Sequence, residues 1–429
     1  MAANTAIRTH RRNPAASRRL TVDVAILGSG IAGVSAALEA ARLGRRVALI
    51  DAAPQLGGES ISAIIGTFCG LYSVGPKPRQ VTHGIADEIL RDLRAAGATH
   101  DIAGRRRTLI VQYRVPALQR WIEEAVRKAD VEPVLNAALA NVRRSGRRIE
   151  ALELVTRYGP LELAAAGFID ASGDAALAWT AGLSVRESER SIYGSLIFTL
   201  DGIVAPALAK LDRAEVARRL AETGSKYGLV RHDGFMFGPP EGGEVLVNMT
   251  HIETPLDPLK MSRAVLEGRA QADRLVAFLR AEFPDVFGGA RVATYGLPGA
   301  RQTRTIAGAY QLQADDVRTG KTFDDAIARC AWPIELHNDP TNVHWEEFAD
   351  GHMHYVPFRS LAHAEADNLV AAGRCIDADP IALSSVRVMG PCVATGAAAA
   401  HALDLAGSGS VHQIDIAALR TRLRANLED

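Results

Sequence analysis

The sequence has few cysteines and no excess of either charge. Its 429 residues include 4 cysteines, at positions 69, 330, 375 and 392, with no Cys-x-x-Cys pair and no metal-ligand spacing. This pattern argues against a disulfide scaffold and against dithiol redox chemistry, and it favours reduced thiols in a cytoplasmic protein. The 49 basic and 49 acidic residues balance, so no net field indicates nucleic acid or an anionic membrane as a partner.

Long apolar runs are absent as well. No stretch reaches the roughly 18 apolar residues that a membrane-spanning helix needs, so we expect no membrane span. The first 20 residues are polar and carry Arg8, Arg11, Arg12, Arg18 and Arg19. A twin-arginine signal would need its own apolar segment, and the nearest apolar run is required by the first strand. We therefore expect residues 1–20 to form a disordered basic tail.

A glycine-rich segment follows that first apolar run. Val24–Leu27 predicts a buried strand, and the sequence GSGIAG at Gly28–Gly33 fits G-x-G-x-x-G ahead of an alanine-rich helix. Arg46–Ile50 predicts a second strand with Asp51 at its end. Such glycines let a pyrophosphate approach the helix N-terminus, and the acid can accept hydrogen bonds from a ribose diol. The segment predicts nucleotide binding; a tight turn in an ordinary α/β domain is the alternative.

The remaining strand signals lie in two separated parts of the chain. Before residue 180 we predict strands at Val131–Leu135, Leu139–Arg143, Ile149–Thr156 and Gly159–Ala164, then a buried strand that ends at Asp170. An apolar strand returns within Asp367–Cys375, ahead of a helix rich in small residues. Between them the pattern changes to strand-like pieces and polar helices such as Asp257–Phe283. We therefore expect an α/β fold with a discontinuous Rossmann-like domain (residues 21–185 and 360–429) and an inserted mixed α+β substrate domain (residues 186–359).

Four segments together resemble the FAD-dependent oxidoreductases of the glutathione-reductase-like superfamily, near the succinate dehydrogenase and fumarate reductase flavoproteins. The segments are Gly28–Ser60, Phe168–Gly182, Gly296–Asn338 and Tyr355–Leu403. The resemblance implies an FAD-binding domain and an oxidoreductase. Because Ser60–Tyr72 has no histidine, we expect noncovalent FAD; a bond between flavin and Cys69 is the alternative.

The resemblance also assigns cofactor contacts. The pyrophosphate would lie on Gly28, Ser29, Gly30 and Gly33, the adenosine ribose on Asp51 and the adenine beside Ala138, with Gly57, Gly58, Ser60, Ser172, Gly173 and Asp174 near the dinucleotide. Gly373, Arg374, Ser385, Val388, Met389 and Gly396 would approach the flavin. A helix N-terminus in this last group would stabilise negative charge on reduced flavin.

Candidate catalytic residues follow from the same likeness. His337 lies in WPIELHN, which resembles a W-P-I-x-x-H pattern of relatives, and is our first choice for proton transfer. His354 and Tyr355 rank second. We favour Arg304 over Arg301 near flavin or substrate, with ion pairs between domains as the alternative. His251 and Glu253 could line the cleft or lie on the surface. A metal at the His352–His354 pair lacks a third ligand, so we expect none.

These features predict an FAD-dependent dehydrogenase or oxidase that takes hydride from a small polar metabolite to flavin N5. The alternatives are a C=C reductase of the fumarate reductase type and a non-redox or tRNA-modifying flavoprotein. No second G-x-G-x-x-G for NAD(P)H is evident, so the electron acceptor is open: oxygen, a quinone or an electron-transfer protein. Nucleic acid is not expected as a partner, and the family suggests a homo-oligomer.

Overall fold

The computed structural model describes Thr9 and residues 18–104, 106–238 and 243–429. Most of the predicted basic tail lies outside the described residues. Its last three residues are not a tail, because Arg18 begins the first strand and pairs with Leu161. The apolar run Val24–Leu27 is the buried end of that longer strand.

The strands are, in chain order, β1 (Arg18–Leu27), β2 (Val47–Ile50), β3 (Thr67–Phe68), β4 (Thr99–Ala103), β5 (Leu109–Tyr113), β6 (Glu132–Val134), β7 (Ala137–Ser145), β8 (Arg148–Thr156), β9 (Gly159–Asp170), β10 (Val185–Glu187), β11 (Ser195–Asp201), β12 (Phe235–Phe237), β13 (Val245–Asn248), β14 (Arg291–Gly299), β15 (Arg304–Ile306), β16 (Ala326–Cys330), β17 (Ile334–Leu336), β18 (His344–Glu346), β19 (His354–Pro357) and β20 (Leu369–Ala371). The α-helices are α1 (Ile31–Arg42), α2 (Glu59–Ser62), α3 (Ile85–Ala95), α4 (Val115–Lys128), α5 (Ala176–Thr180), α6 (Ala205–Leu208), α7 (Arg213–Thr223), α8 (Pro258–Glu282), α9 (Pro284–Phe287), α10 (Ala314–Thr319), α11 (Pro380–Val386), α12 (Met389–Ala406) and α13 (Ile416–Arg422).

The largest sheet is mixed, with strand order β6-β2-β1-β9-β8-β7 and β20 paired to β9. The pairs β1–β2, β1–β9, β2–β6 and β9–β20 are parallel, whereas β7–β8 and β8–β9 are antiparallel. Leu27 is level with both Ile50 and Asp170. The carboxyl ends of three parallel strands therefore meet at one edge, where dinucleotides bind in such sheets.

One strand replaces two that the sequence predicts. Gly159–Ala164 and the apolar run that ends at Asp170 form the single 12-residue strand β9. Its first half pairs with β8, its last residues pair with β20, and β1 runs alongside both parts. Pairing with β1 holds the strand together across the small residues 165–167, between the two predicted strands.

Helices α1 and α12 pack closely because both carry small residues. The hydroxyl of Ser35 donates to the carbonyl of Val393 at 2.7 Å. A Cβ at Gly396 would lie 2.2 Å from the carbonyl oxygen of Ala32, so only glycine fits there. This packing accounts for Gly396, and its suggested approach to flavin stays a prediction.

A second hydrophobic cluster lies between the antiparallel sheet β12-β13-β11-β14 and the long helix α8. Phe198 and Phe278 are fully buried in it. The predicted helix Asp257–Phe283 is confirmed, with Asp257 as N-cap. The main core, however, includes Ile306, Trp332 and Val356, because β16 packs on α12 and β17 on α11. The hydrophobic packing thus divides the chain differently from the predicted segment 186–359.

Within the described residues, no single helix has the length and hydropathy to cross a bilayer. Helices α11 and α12 pass that test only as a pair, and they are bent by 92° relative to each other.

Candidate active site

Each of the three glycines after β1 occupies its position for a different structural reason. Gly28 has a φ of +101°, and a Cβ there would lie 2.2 Å from the carbonyl oxygen of Ala171. A Cβ at Gly33 would lie 1.9 Å from the carbonyl oxygen of Gly28. At Gly30 a Cβ would meet nothing within 4 Å. The outer glycines are therefore needed for packing, whereas the middle one leaves open space at the N-terminus of α1, as a bound pyrophosphate requires.

The glycine pair Gly57 and Gly58 packs directly on the first glycine motif. The backbone N–H of Gly57 donates to the carbonyl of Ser29 at 2.9 Å. A Cβ at Gly58 would lie 2.8 Å from the Cα of Gly30. The hydroxyl of Ser60 donates to the Gly57 carbonyl at 2.6 Å. The two glycine motifs thus form one cradle around the start of α1.

Asp51 closes this cradle at the end of β2. Its carboxylate accepts hydrogen bonds from the backbone N–H and the hydroxyl of Ser29 at 2.8 and 2.6 Å, and from the Ala53 N–H at 2.8 Å. A carboxylate has about four acceptor positions, so one remains for a ribose hydroxyl. Ala138 pairs with Val155 in β7 and β8.

Arg374 fills the far side of the cradle. It is ion-paired with Glu59 and donates to the Ala300 carbonyl at 2.6 Å. Gly173 lies against the guanidinium, since a Cβ there would be 2.2 Å from Nη2. The Nε of Arg374 is buried with no hydrogen-bond partner. A buried cation with an unused donor fits an anionic group such as a phosphate.

The neighbouring loop after β9 is held by its own side chains. Ser172 donates its hydroxyl to Asp170 at 2.6 Å, and Asp174 accepts from the hydroxyl of Thr303 at 2.7 Å. Burial raises the pKa of Asp170. Gly373 donates its N–H to the hydroxyl of Thr395 at 3.0 Å. The Asp174–Thr303 bond joins the β9 loop to the segment after β14, and the Gly373–Thr395 bond joins the segment after β20 to α12.

The N-terminus of α12 is a second uncapped helix start. Val388 is its N-cap and offers no capping side chain, and Met389 is its first residue. The Gly390 N–H donates to the Cys69 carbonyl at 3.0 Å. Burial raises the pKa of the Cys69 thiol, so this cysteine is not a thiolate nucleophile at neutral pH. Pro391 has no N–H and the Cys392 N–H donates to the Val388 carbonyl at 3.2 Å, so the Met389 N–H and the helix dipole remain to stabilise a negative charge.

Next to this helix start, His337 lies in the middle of a row of polar groups. Its Nε2 is 3.0 Å from the carboxylate of Glu335, and its Nδ1 is 2.9 Å from Nε2 of His251. The Nδ1 of His251 is 3.0 Å from the carbonyl of Pro340. Burial, reinforced by nearby arginines, lowers the pKa of His337, and it lowers the pKa of His251 to about 2. Both rings are therefore neutral near pH 7.

Two buried arginines, Arg231 and Arg301, and the partly buried Arg387 surround this row. Arg301 donates to the Tyr193 carbonyl at 2.8 Å and to the hydroxyl of Ser195 at 3.0 Å. Arg387 donates to the backbone carbonyl of Glu335 at 3.2 Å. Arg231 pairs with Asp233 at 2.6 Å, and its Nη2 is buried without a partner. Among the described residues, no carboxylate forms a salt bridge with Arg301 or Arg387. Unpaired buried cations favour an anionic ligand.

His354 belongs to a different hydrogen-bonded chain. Its Nε2–H donates to the hydroxyl of Ser385 at 2.9 Å, because that hydroxyl itself donates to the Trp332 carbonyl at 2.5 Å. Its Nδ1 is 3.3 Å from Nε2 of His352. In the described part of the chain, no three His, Cys, Asp or Glu side chains are grouped to hold a metal ion. Ser385 thus fixes the ring of His354.

Burial lowers the pKa of His354 from its ordinary value of 6.5 to about 3. Between these two pH values the unfolded chain binds the proton that the folded protein does not, so stability falls as pH falls. We expect His354→Gln to flatten this decline by up to about 1.4 kcal/mol per pH unit, as measured by urea unfolding at several pH values. The exposed-site variant His344→Gln is the control and should keep the wild-type slope; an unchanged slope in His354→Gln would contradict the assignment.

Arg304 and Tyr355, like His354, are not brought to the row around His337. Arg304 pairs with Glu187 at 2.9 Å and stacks on the ring of Trp179 at 4.5 Å. These contacts join β15 to β10 and α5. They match the alternative prediction for Arg304, which is a structural ion pair. Tyr355 follows His354 in β19, and successive strand residues point to opposite faces. The strand therefore directs Tyr355 away from the side of His354.

Several residues of the row and its surroundings were not among the predicted catalytic residues. They are Arg231, His251, Arg301, Glu335 and Arg387. Glu335 stands two positions before His337, a spacing that puts both side chains on one face of a strand, and this was the usable signal. The other four come from distant parts of the chain; the sequence offered His251 only as a possible cleft residue and placed Arg301 behind Arg304.

The glycine cradle, the free acceptor position on Asp51 and the unused donor of Arg374 define a dinucleotide-binding site in an α/β protein. Residues 23–423 match the family described as FAD dependent oxidoreductase. This match covers most of the chain, so the protein belongs to that family. It is an enzyme, and FAD is its cofactor; the residues of the cradle fit that group.

A solved structure shows the same fold at low identity. It is a geranylgeranyl bacteriochlorophyll reductase-like protein from Thermoplasma acidophilum, 13% identical with a TM-score of 0.50, over 95% of this chain and 86% of that one. The p-nitrophenol 4-monooxygenase PnpA from Pseudomonas putida DLL-E4 is 12% identical with a TM-score of 0.46, over 95% of this chain and 81% of that one. No curated protein matches the sequence.

Proposed function

We propose that the protein is an FAD-dependent dehydrogenase or oxidase that takes hydride from a small polar metabolite carrying a hydroxyl or amino group. This proposal rests on the hydrogen-bonded row Glu335–His337–His251. The backbone carbonyl of Glu335 accepts a hydrogen bond from Arg387, which lies beside the start of α12. Noncovalent FAD supplies a two-electron acceptor for the hydride when bound. Because hydride loss leaves a proton to be removed, a buried row of neutral rings beside a carboxylate suits the reaction.

The cations around the row define the substrate's second feature. Arg301 is buried and Arg387 is partly buried, and neither has a carboxylate partner within the described residues; Arg231 has an unused donor. A carboxylate on the substrate would balance this charge and hold the reacting carbon in place. We therefore favour hydroxy acids or amino acids as substrates.

Reduction of a C=C bond beside a carboxylate is the second candidate. The same row could donate a proton in that direction, and the same arginines would hold the same group. The two directions differ in a simple observation: a dehydrogenase substrate bleaches the oxidised flavin under nitrogen, whereas an unsaturated acid restores the colour of the reduced flavin.

The test is an anaerobic screen with a charge-removing variant. We expect carboxylate-bearing hydroxy acids and amino acids to bleach the flavin, and their uncharged esters and amides to fail. In Arg301→Met the half-saturating concentration should rise by about 10-fold or more, since a hydrogen bond to a charged group contributes roughly 1.5–3 kcal/mol. Stopped-flow absorbance gives both the rate and the saturation.

The matched control for this test is Arg318→Met. Arg318 forms surface ion pairs with Asp315 and Glu346, so its loss removes one positive charge without touching the row. This variant should keep the wild-type half-saturating concentration. Equal bleaching by neutral and anionic substrates, or an Arg301→Met variant that saturates like wild type, would refute an anionic substrate.

The electron acceptor and cellular setting complete the proposal. Oxygen, a quinone or an electron-transfer protein would reoxidise the flavin, because no second nucleotide motif is evident in the sequence. We propose a cytoplasmic location from the reduced-thiol composition and from the balanced charge.

A further inference from the structure

The row around His337 needs more hydrogens for its hydrogen bonds than its two neutral imidazole rings supply. It contains three links: Glu335 to His337, His337 to His251, and His251 to the carbonyl of Pro340. The three heavy-atom distances are 3.0, 2.9 and 3.0 Å. Each link needs one hydrogen between its two atoms, because two facing lone pairs repel.

Two neutral imidazoles supply two hydrogens for these three links. With Glu335 ionised, the ring of His337 donates to the carboxylate and its other nitrogen is an acceptor. His251 can then donate either to His337 or to Pro340, but not to both. A third proton completes the row, either on the carboxyl of Glu335 or on one of the rings. The row is therefore one proton short whenever all three groups are in their common neutral-pH forms.

The ends of the row have different surroundings. Both nitrogens of His337 are used inside the row and the ring is fully buried, so His337 has no free nitrogen for a substrate. The side chain of Glu335 is 16% exposed, and it also accepts from the indole N–H of Trp332 at 3.1 Å. At the other end, Pro340 follows the exposed Asp339. The Pro340 end is thus beside exposed residues, and the Glu335 carboxylate at the other end is itself partly exposed.

The positive charges that face the row oppose the binding of an extra proton to it. Arg301 and Arg387 interact with Glu335, and Arg231 with His251. Asp233, Asp339, the Cys69 thiol and Tyr193, whose ring stacks on His251 at 5.6 Å, are further titratable neighbours. Added negative charge beside these arginines offsets that field and favours protonation. Reduction of FAD by two electrons adds such negative charge. This charge would lie near Arg387, because Arg387 precedes the helix start that is predicted to meet the flavin.

We propose that Glu335, His337 and His251 form a proton relay that takes up one proton from solvent when the flavin is reduced, with Glu335 as the end that exchanges protons with substrate. This deepens the proposed function and rests on it for the role of the substrate. Two electrons pass from the reductant to FAD, and one proton passes from water at the Pro340 end into the vacant link. No bond other than N–H or O–H forms or breaks in the relay.

The test is the pH dependence of the flavin midpoint potential in the holoenzyme, which needs no substrate. One additional proton bound per two electrons steepens the slope of potential against pH by about 30 mV per pH unit. We expect the wild type to show this extra slope across neutral pH. Glu335→Gln should lose it, because the amide donates permanently to His337 and cannot titrate. His251→Gln should lose it as well.

The surface variant His412→Gln is the control and should keep the wild-type slope. Histidine 15N spectra of the reduced and oxidised protein provide a second measurement if a variant folds poorly: reduction should add one N–H or complete one hydrogen bond in the row. Equal slopes in wild type and Glu335→Gln, with unchanged histidine spectra, would overturn the relay. Failure of every anionic substrate would instead refute the proposed function and leave this result unaffected.

Discussion

Gly30→Val is expected to yield a folded protein that binds FAD at least about 10-fold more weakly than wild type. A Cβ at Gly30 meets no atom within 4 Å, and the backbone there has a φ of −61°, which any residue can adopt. The variant should therefore keep its stability. The new side chain would occupy the space in front of α1 where the pyrophosphate must lie, and overpacking of this kind costs about 1–3 kcal/mol. The flavin absorbance per protein and the free energy of unfolding of the apoprotein measure the two effects separately.

Gly33→Val is the matched comparison in the same motif. Its Cβ would lie 1.9 Å from the carbonyl oxygen of Gly28, so the side chain must push α1 away from the sheet. We expect this variant to lose stability as well as FAD, by about 1–3 kcal/mol or more. If Gly30→Val bound FAD like wild type, the cofactor would not lie on this helix start.

His337→Gln is expected to slow flavin reduction by substrate by about 100-fold or more while FAD stays bound. His337 contacts no glycine of the cradle, and general acid–base groups contribute roughly 10²- to 10⁴-fold. Because the ring acts through Glu335, it is a positioning residue, and a loss of rate alone would not identify its role. The rate should also lose its pH dependence, since the broken row no longer exchanges a proton. Stopped-flow reduction at several pH values measures both.

His412→Gln provides the reference for that experiment, because this histidine is exposed and its ring bonds to the Ala366 carbonyl and not to a member of the row. It should retain the wild-type rate and pH profile. A His337→Gln variant with the wild-type pH profile would show that the row does not carry the proton, whatever its absolute rate.

The glycine cradle could be predicted because it rests on contiguous sequence. Gly28 to Gly33, Asp51 and the pair at Gly57 and Gly58 lie within one strand–helix–strand unit, so spacing alone implies their proximity. The long helices α8 and α12 were predictable for the same reason. Local composition decides such elements, and the structure has them at nearly the expected bounds.

The chemistry of the row could not be predicted in this way. His251 lies 86 residues from His337 in sequence, and Arg231 reaches the same place from another loop. The choice between Arg301 and Arg304 depends on where β15 begins, and it begins at Arg304. Arg301 lies just before that strand and turns inward to Tyr193 and Ser195. Only the tertiary fold sets these positions.

The boundary of the second core also depended on tertiary contacts. The segments around Ile306 and Val356 have no pattern that distinguishes them from the inserted region, yet they are buried in the main core. Their assignment follows from packing on α11 and α12, and a pairing between such distant segments leaves no periodic signal in sequence.

The central claim is that this chain holds FAD noncovalently on the cradle at the start of α1. The most direct measurement is the visible absorbance of the purified protein and of its supernatant after acid precipitation, for wild type and Gly30→Val together. We expect flavin bands in the wild type that leave with the supernatant, and a nearly colourless, folded Gly30→Val. Flavin that stays with the precipitate, or a fully coloured Gly30→Val, would contradict it.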